Sequence, residues 1–75
     1  MDEFTAQRLG RFLAGYKQTH GRDASHAELI AAGFDDAVID GAVRKGMLDK
    51  HQVTTGTGSV ENRYKLHRDW RTLRS

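Results

Sequence analysis

The sequence predicts a mainly α-helical domain in which three short helices precede a small β-hairpin. Apolar residues recur with helical spacing over residues 4–19, and two further short apolar segments each end at a glycine. From residue 47 onward, strand-forming residues flank a glycine-rich loop, a pattern typical of a hairpin. The 75 residues are enough for one domain, which is predicted to span residues 1–75.

The first helix is predicted over residues 4–19. One face of it carries apolar residues at positions i, i+3, i+4 and i+7, namely Leu9, Phe12, Leu13 and Tyr16. Gly10 and Gly15 lie inside this segment, where each costs about 1 kcal/mol relative to alanine. Each glycine either permits a close approach of another segment or weakens the helix, and the sequence leaves both alternatives open.

The second and third helices are predicted over residues 26–32 and 36–45. Ser25 and Glu28 have the spacing of a capping box at the start of the second helix, and Gly33 ends it. Asp35 or Asp36 caps the third helix, which ends before Gly46. Its buried side is predicted to carry Val38, Ile39, Ala42 and Val43, with Phe34 anchoring the preceding turn.

The hairpin is predicted to have strands at about residues 47–54 and 60–67. If Leu48 pairs with Leu66, the same register places Lys50 opposite Tyr64 and Thr54 opposite Val60. The alternation of side chains then directs Asn62, Tyr64 and Leu66 inward and Arg63, Lys65 and His67 outward. The basic tail, residues 68–75, is predicted either to fold back on the first helix through Trp70 and Leu73, near Phe4, or to fray.

The formal charge of +2 conceals a strong asymmetry along the chain. Residues 1–43 carry four Lys and Arg against seven Asp and Glu, a charge of −3, whereas residues 44–75 carry eight against three, a charge of +5. This excess in the hairpin and tail favours a polyanionic partner. The alternative interpretation is an ordinary solvated hairpin with basic side chains on exposed strands.

Several classes of function are not expected. The chain has no cysteine, which excludes disulfides and a cysteine zinc site, and it has no transmembrane segment or signal-peptide pattern. A cytoplasmic or nucleoid-associated protein is therefore expected. His20 and His26 lack helical metal-ligand spacing, so no metal or cofactor is predicted. A chain this small has little room for a pocket of a few hundred cubic ångströms, so neither an enzyme nor a small-molecule substrate is expected.

The order of the elements and the residues at their junctions resemble those of winged helix-turn-helix DNA-binding domains. The resemblance covers roughly residues 5–68 and is carried by three stretches: Ala27-Glu28-Leu29 through Gly33-Phe34, Arg44-Lys45-Gly46-Met47-Leu48 and Arg63-Tyr64-Lys65-Leu66. It implies that the third helix enters the major groove and that the hairpin, as a wing, contacts the neighbouring backbone or minor groove.

These observations together predict a double-stranded DNA-binding module that acts by phosphate contacts from the wing with modest readout by the third helix. A small cytoplasmic regulator of transcription or replication and a recombination accessory are both compatible with this prediction. The nucleic-acid-binding residues are predicted to be Arg44, Lys45, Lys50, Thr55, Thr57, Arg63, Lys65, His67 and Arg68. The exposed face of the third helix is predicted to carry Ala37, Asp40 and Gly41, with Asp40 and Arg44 spaced for an ion pair.

A protein–protein interaction module on the same scaffold is the alternative function, because the acidic start of the third helix and its small residues would suit a partner helix. No heptad repeat or extended apolar face predicts a dimer, so a monomer and a homodimer both stay open.

Overall fold

The computed structural model describes residues 3–70, which form three helices and a three-stranded antiparallel sheet. In chain order the elements are α1 (Glu3–His20), β1 (Ala24–Ser25), α2 (His26–Ala31), α3 (Asp36–Arg44), β2 (Leu48–Thr54) and β3 (Val60–Leu66). The three predicted helices and the predicted hairpin are present, and no end differs from its predicted position by more than one residue. The strand order is β1-β3-β2, which makes β3 the central strand.

The register of the hairpin is the predicted one. Leu48 pairs with Leu66, Lys50 with Tyr64 and Thr54 with Val60. Residues 55–59 form the tip, where the Thr55 amide donates to the Ser59 carbonyl at 2.8 Å and the Gly58 amide donates to the Thr55 carbonyl at 3.0 Å. Gly58 has a φ of 84°, a conformation that residues with a Cβ rarely adopt. The tip therefore closes the hairpin through backbone hydrogen bonds and one glycine.

The short strand β1 was not predicted from the sequence, which suggested a loop and a helix cap at this position. Ala24 pairs with Tyr64 and Ser25 pairs with Arg63. Two residues carry no periodicity that would distinguish a strand from a loop. The strand exists because β3 offers a free edge close to the start of α2, and it converts the predicted hairpin into a three-stranded sheet.

Both predicted helix caps are present. The Glu28 amide donates to the Ser25 hydroxyl at 3.3 Å, and the Ser25 amide donates to the Glu28 carboxylate at 3.0 Å, which completes the capping box. At α3 the cap is Asp35, whose carboxylate accepts from the Val38 amide at 2.9 Å. Gly33, with a φ of 101°, makes the turn between the two helices.

Replacing Ser25 by alanine is expected to lower the free energy of unfolding by about 1 kcal/mol, because it removes the cap of a helix of only six residues. Ser59→Ala, at the exposed tip, is the matched control and is expected to change it by less than about 0.5 kcal/mol. Urea unfolding monitored by circular dichroism measures both values. Equal decreases in the two variants would show that the capping box does not support α2.

The core lies between the helices and one face of the sheet. Its buried apolar residues are Ala6, Leu9, Leu13, Ala24, Leu29, Phe34, Ile39, Ala42, Met47, Leu48, Tyr64 and Trp70. Every element contributes to this set, which explains how helices as short as α2 persist.

Trp70 packs against α1 at Gly10. A Cβ atom built on Gly10 would lie 2.5 Å from two carbon atoms of the indole ring, whereas a Cβ on Gly15 would meet nothing within 4 Å. Gly10 therefore permits the close approach of Trp70 to α1, whereas Gly15 has open space beside it. Leu73, which was expected to fold back together with Trp70, lies outside the described residues.

A groove of about 370 Å³ lies between α1 and β3, although little room for a pocket was expected in a chain of this size. Leu13 and Ala14 of α1 form one side of the groove, and Tyr64 and Leu66 of β3 form the other. Its volume falls at the lower end of the range found for ligand-binding pockets.

Candidate nucleic-acid interface

The two faces of the hairpin differ in what they contact. Residues paired across an antiparallel ladder point to the same side, so the register places Lys50 and Tyr64 on the face that packs on the helices. Arg63, paired with His51, and Lys65, paired with Asp49, point to the opposite, outer face. The predicted site thus divides, because Lys50 does not share a face with Arg63 and Lys65.

The outer face carries acidic residues among its cations. The Arg63 Nε donates to the Glu61 carboxylate at 2.7 Å, and both side chains are partly buried. His51 Nε2 lies 2.9 Å from an oxygen of Asp23, whose side chain is 15% exposed. Lys65 stands directly opposite Asp49 across the ladder. Lys65 forms no ion pair within 4.0 Å among the described residues, but Asp23, Asp49 and Glu61 lie close to the cations of this face, so it is not an uninterrupted cationic surface.

A second set of cations lies where α3 joins the hairpin. Arg44 is the last residue of α3, Lys45 follows it, and Lys50 is the third residue of β2. The amide of His67 donates to the Met47 carbonyl at 2.8 Å, so Arg68 lies beside the junction between α3 and β2. We call Arg44, Lys45, Lys50 and Arg68 the basal cluster. All four residues are exposed.

Nearby carboxylates neutralise little of the positive charge of the basal cluster. Among residues 3–70, Arg44, Lys45 and Lys50 form no ion pair within 4.0 Å. Arg68 lies 3.9 Å from Asp69, and its side chain is 91% exposed. An anion can therefore bind Arg44, Lys45 and Lys50 without an existing ion pair within the described residues having to break.

The predicted ion pair between Asp40 and Arg44 is not formed, since the two charged groups are more than 4.0 Å apart in the described structure. Ala37, Asp40 and Arg44 are exposed on α3 as predicted, and Gly41 is half-buried. Such helix-surface pairs contribute only about 0.2–0.5 kcal/mol, so separating them costs little. The Arg44 guanidinium consequently does not have to leave Asp40 to reach another group.

Tyr64, His26 and Asp36 form a hydrogen-bonded chain that the sequence did not reveal. The Tyr64 hydroxyl lies 3.1 Å from His26 Nδ1, and His26 Nε2 lies 2.7 Å from an oxygen of Asp36. A neutral imidazole protonated at Nε2 donates to Asp36 and accepts from Tyr64. These two hydrogen bonds join β3 to the first residues of α2 and α3, and they hold the start of α3 against the sheet.

Burial raises the pKa of the Tyr64 phenol above its ordinary value of 10.0, and the carboxylates of Asp40 and Asp36 raise it further. As the pH increases, the Tyr64 phenol therefore loses its proton in the unfolded state at a lower pH than in the folded state. Stability from Tyr64 is fully present below pH 10 and is lost above it. The free energy of unfolding of the wild type is expected to fall more steeply above pH 10 than that of Tyr64→Phe, as measured by urea titrations at successive pH values. Parallel curves would contradict this linkage.

The remaining predicted residues lie at the tip and at the end of the hairpin. The hydroxyls of Thr55 and Thr57 lie 2.9 Å apart, and Thr57 also lies near the Ser59 hydroxyl, at 3.4 Å. His67 accepts from the Asp69 amide through Nδ1 at 3.0 Å. The tip thus carries small polar side chains that contact one another, while His67 is half-buried beside the basal cluster.

The ring of His20 packs at a tilt against that of Tyr16, with the ring centroids 4.1 Å apart. Within residues 3–70, no three His, Asp or Glu side chains are grouped as metal ligands. No helix in the described part of the chain has both the length and the apolar character needed to cross a bilayer.

Comparison of the chain with protein-family models, with curated proteins and with solved structures finds no match.

Proposed function

We propose that this chain is a double-stranded DNA-binding module of the winged-helix type, a small regulator in which the basal cluster binds phosphates. The observation that carries the proposal is the set of exposed cations at the junction of α3 and the hairpin, three of which have no acidic partner among the described residues. The order of the elements supports it, since α2, the Gly33 turn and α3 precede the hairpin.

The basal cluster is better suited to bind phosphates than the outer face, because its cations are less engaged in ion pairs. A cation that binds a phosphate releases the counterions condensed on the nucleic acid, and this release supplies most of the sequence-independent affinity. Arg63 must give up its hydrogen bond to Glu61 before it can do so. Within residues 3–70, Arg44 and Lys45 form no such ion pair. Arg63 is therefore assigned a secondary role, as is Lys65, which stands opposite Asp49 on the same face.

Sequence readout by α3 is expected to be modest. Arg44 is the one strong donor on the exposed face of the helix, next to Ala37, Asp40 and Gly41. Asp36 and Asp40 repel phosphates, so the end of α3, and not its start, is placed nearest the backbone. Thr55 and Thr57 are small enough for the tip to enter a groove without steric hindrance.

Single substitutions distinguish the basal cluster from the outer face. Arg44→Gln is expected to weaken binding of a random DNA duplex by about fivefold to tenfold at low salt, because it removes one phosphate contact. Arg63→Gln removes the same charge from the outer face and is expected to weaken binding by less than about threefold, since Glu61 already holds that guanidinium. Fluorescence anisotropy with a labelled duplex measures both effects. A greater weakening by Arg63→Gln would assign the outer face instead.

A protein-interaction module is the second candidate, and the exposed start of α3 favours it. Asp40 and Ala37 are exposed, and the space beside Gly41 is open to 4 Å. A basic partner helix would fit this surface. Ala37→Arg separates the two functions: it should block a protein partner through bulk and charge, whereas it should leave DNA affinity unchanged or increase it.

A further inference from the structure

The groove between α1 and β3 combines an apolar floor with a cationic rim. Leu13 and Tyr64 are buried beneath it, and Leu66 is half-buried beside them. Lys17 of α1 and Lys65 of β3 stand on its two sides, and both side chains are exposed. Two lysines therefore line an opening whose interior is lined mainly by carbon atoms.

One carboxylate also lines the groove, and its charge is already compensated. Asp23 lies 3.5 Å from Lys17 Nζ through one oxygen and 2.9 Å from His51 Nε2 through the other. Its side chain is 15% exposed, which leaves little of it available to a ligand. Lys65 has no ion pair within the described residues, so the rim as a whole is positive.

We propose that this groove is a binding site for a small organic anion with an apolar body, of the aryl carboxylate class. The volume of about 370 Å³ suits one or two rings and is too small for a docked helix. The rings would pack on Leu13, Leu66 and the ring of Tyr64, and the carboxylate would face Lys65 and Lys17. Two lysines against one aspartate in the lining favour an anion over a cation.

The groove shares only Lys65 with the proposed nucleic-acid interface, where Lys65 has a secondary role, and the two sites are tested separately. Ala14 and Leu13 belong to α1, which contributes no residue to the basal cluster. Binding in the groove can be measured without nucleic acid, so a chain that fails to bind DNA can still bind the anion, and the reverse also holds.

The test is a titration of the uniformly ¹⁵N-labelled protein with 1-naphthoate, followed by NMR chemical shifts. The expected result is a saturable shift of the amides of Ala14, Lys65 and Leu66, with a dissociation constant below about 1 mM. The neutral 1-naphthamide is expected to bind about tenfold more weakly, because it lacks the charge that Lys17 and Lys65 recognise. Equal binding of the amide, or shifts centred on other residues, would overturn the proposal.

Two variants complete the test. Ala14→Phe places a ring in the groove from an exposed position on α1 and is expected to abolish the shifts, while Lys17→Gln combined with Lys65→Gln is expected to reduce the affinity about tenfold. Arg11→Gln, also exposed on α1 but outside the groove, is the control for charge alone and is expected to bind as the wild type does. If Ala14→Phe does not fold, the lysine variant decides, and unchanged affinity in that variant would exclude the site.

Discussion

Replacing Arg44, Lys45 and Lys50 together by glutamine is expected to weaken binding of a random DNA duplex by about 30-fold to 100-fold at low salt. The three side chains are exposed and have no ion pair in the described structure, so their full charge is available to phosphates. Removing one phosphate contact makes the slope of log affinity against log salt concentration shallower by about 0.9, so the slope of the triple variant should be shallower by almost three units. Anisotropy titrations at several salt concentrations measure both quantities.

The control for this variant carries the same change of charge on another surface. Arg8, Arg11 and Arg22 lie outside the basal cluster, and their joint replacement by glutamine is expected to alter the affinity by less than about threefold. If the affinity of both triple variants falls equally, net charge and not the basal cluster governs binding. Circular dichroism of each variant confirms that the fold is retained.

Gly10→Ala is expected to lower the free energy of unfolding by about 1–3 kcal/mol. The added Cβ would lie 2.5 Å from the ring of Trp70, so the indole must move away from α1. Gly15→Ala is the matched control in the same helix. It meets nothing within 4 Å and is expected to stabilise the protein by up to about 1 kcal/mol through helix propensity.

Trp70 is the only tryptophan of the chain, so its fluorescence reports directly on its packing against Gly10. The emission of Gly10→Ala should shift to longer wavelength in the folded state, because the indole becomes more exposed, while the emission of Gly15→Ala should not change. Similar stabilities and spectra for the two variants would show that Trp70 does not pack on Gly10.

The hairpin and the caps were predictable because their determinants are local. The alternation of Tyr64 and Leu66 with Arg63 and Lys65 fixes which residues face the core, and a tip of five residues then sets the register. Ser25 and Glu28 are three residues apart, so their reciprocal hydrogen bonds follow from spacing alone. In these segments the sequence pattern and the structure agree.

The interactions that the sequence did not predict join residues far apart in the chain. Strand β1 pairs Ala24 with Tyr64, and the same region links His26 to Tyr64 through a hydrogen bond. Neither interaction leaves a periodic signal, because each depends on how α2 packs on the sheet. The sequence likewise shows the excess of cations in the hairpin but not that Asp23, outside the hairpin, reaches His51.

The most direct test of the proposed function is the salt dependence of binding by the wild-type protein. If the basal cluster neutralises four phosphates, with a fifth contact from Lys65, the logarithm of the affinity for a random DNA duplex should fall against the logarithm of the salt concentration with a slope of about −4 to −5. A slope near zero, or no binding at low salt, would contradict the assignment of these exposed cations to a polyanionic partner.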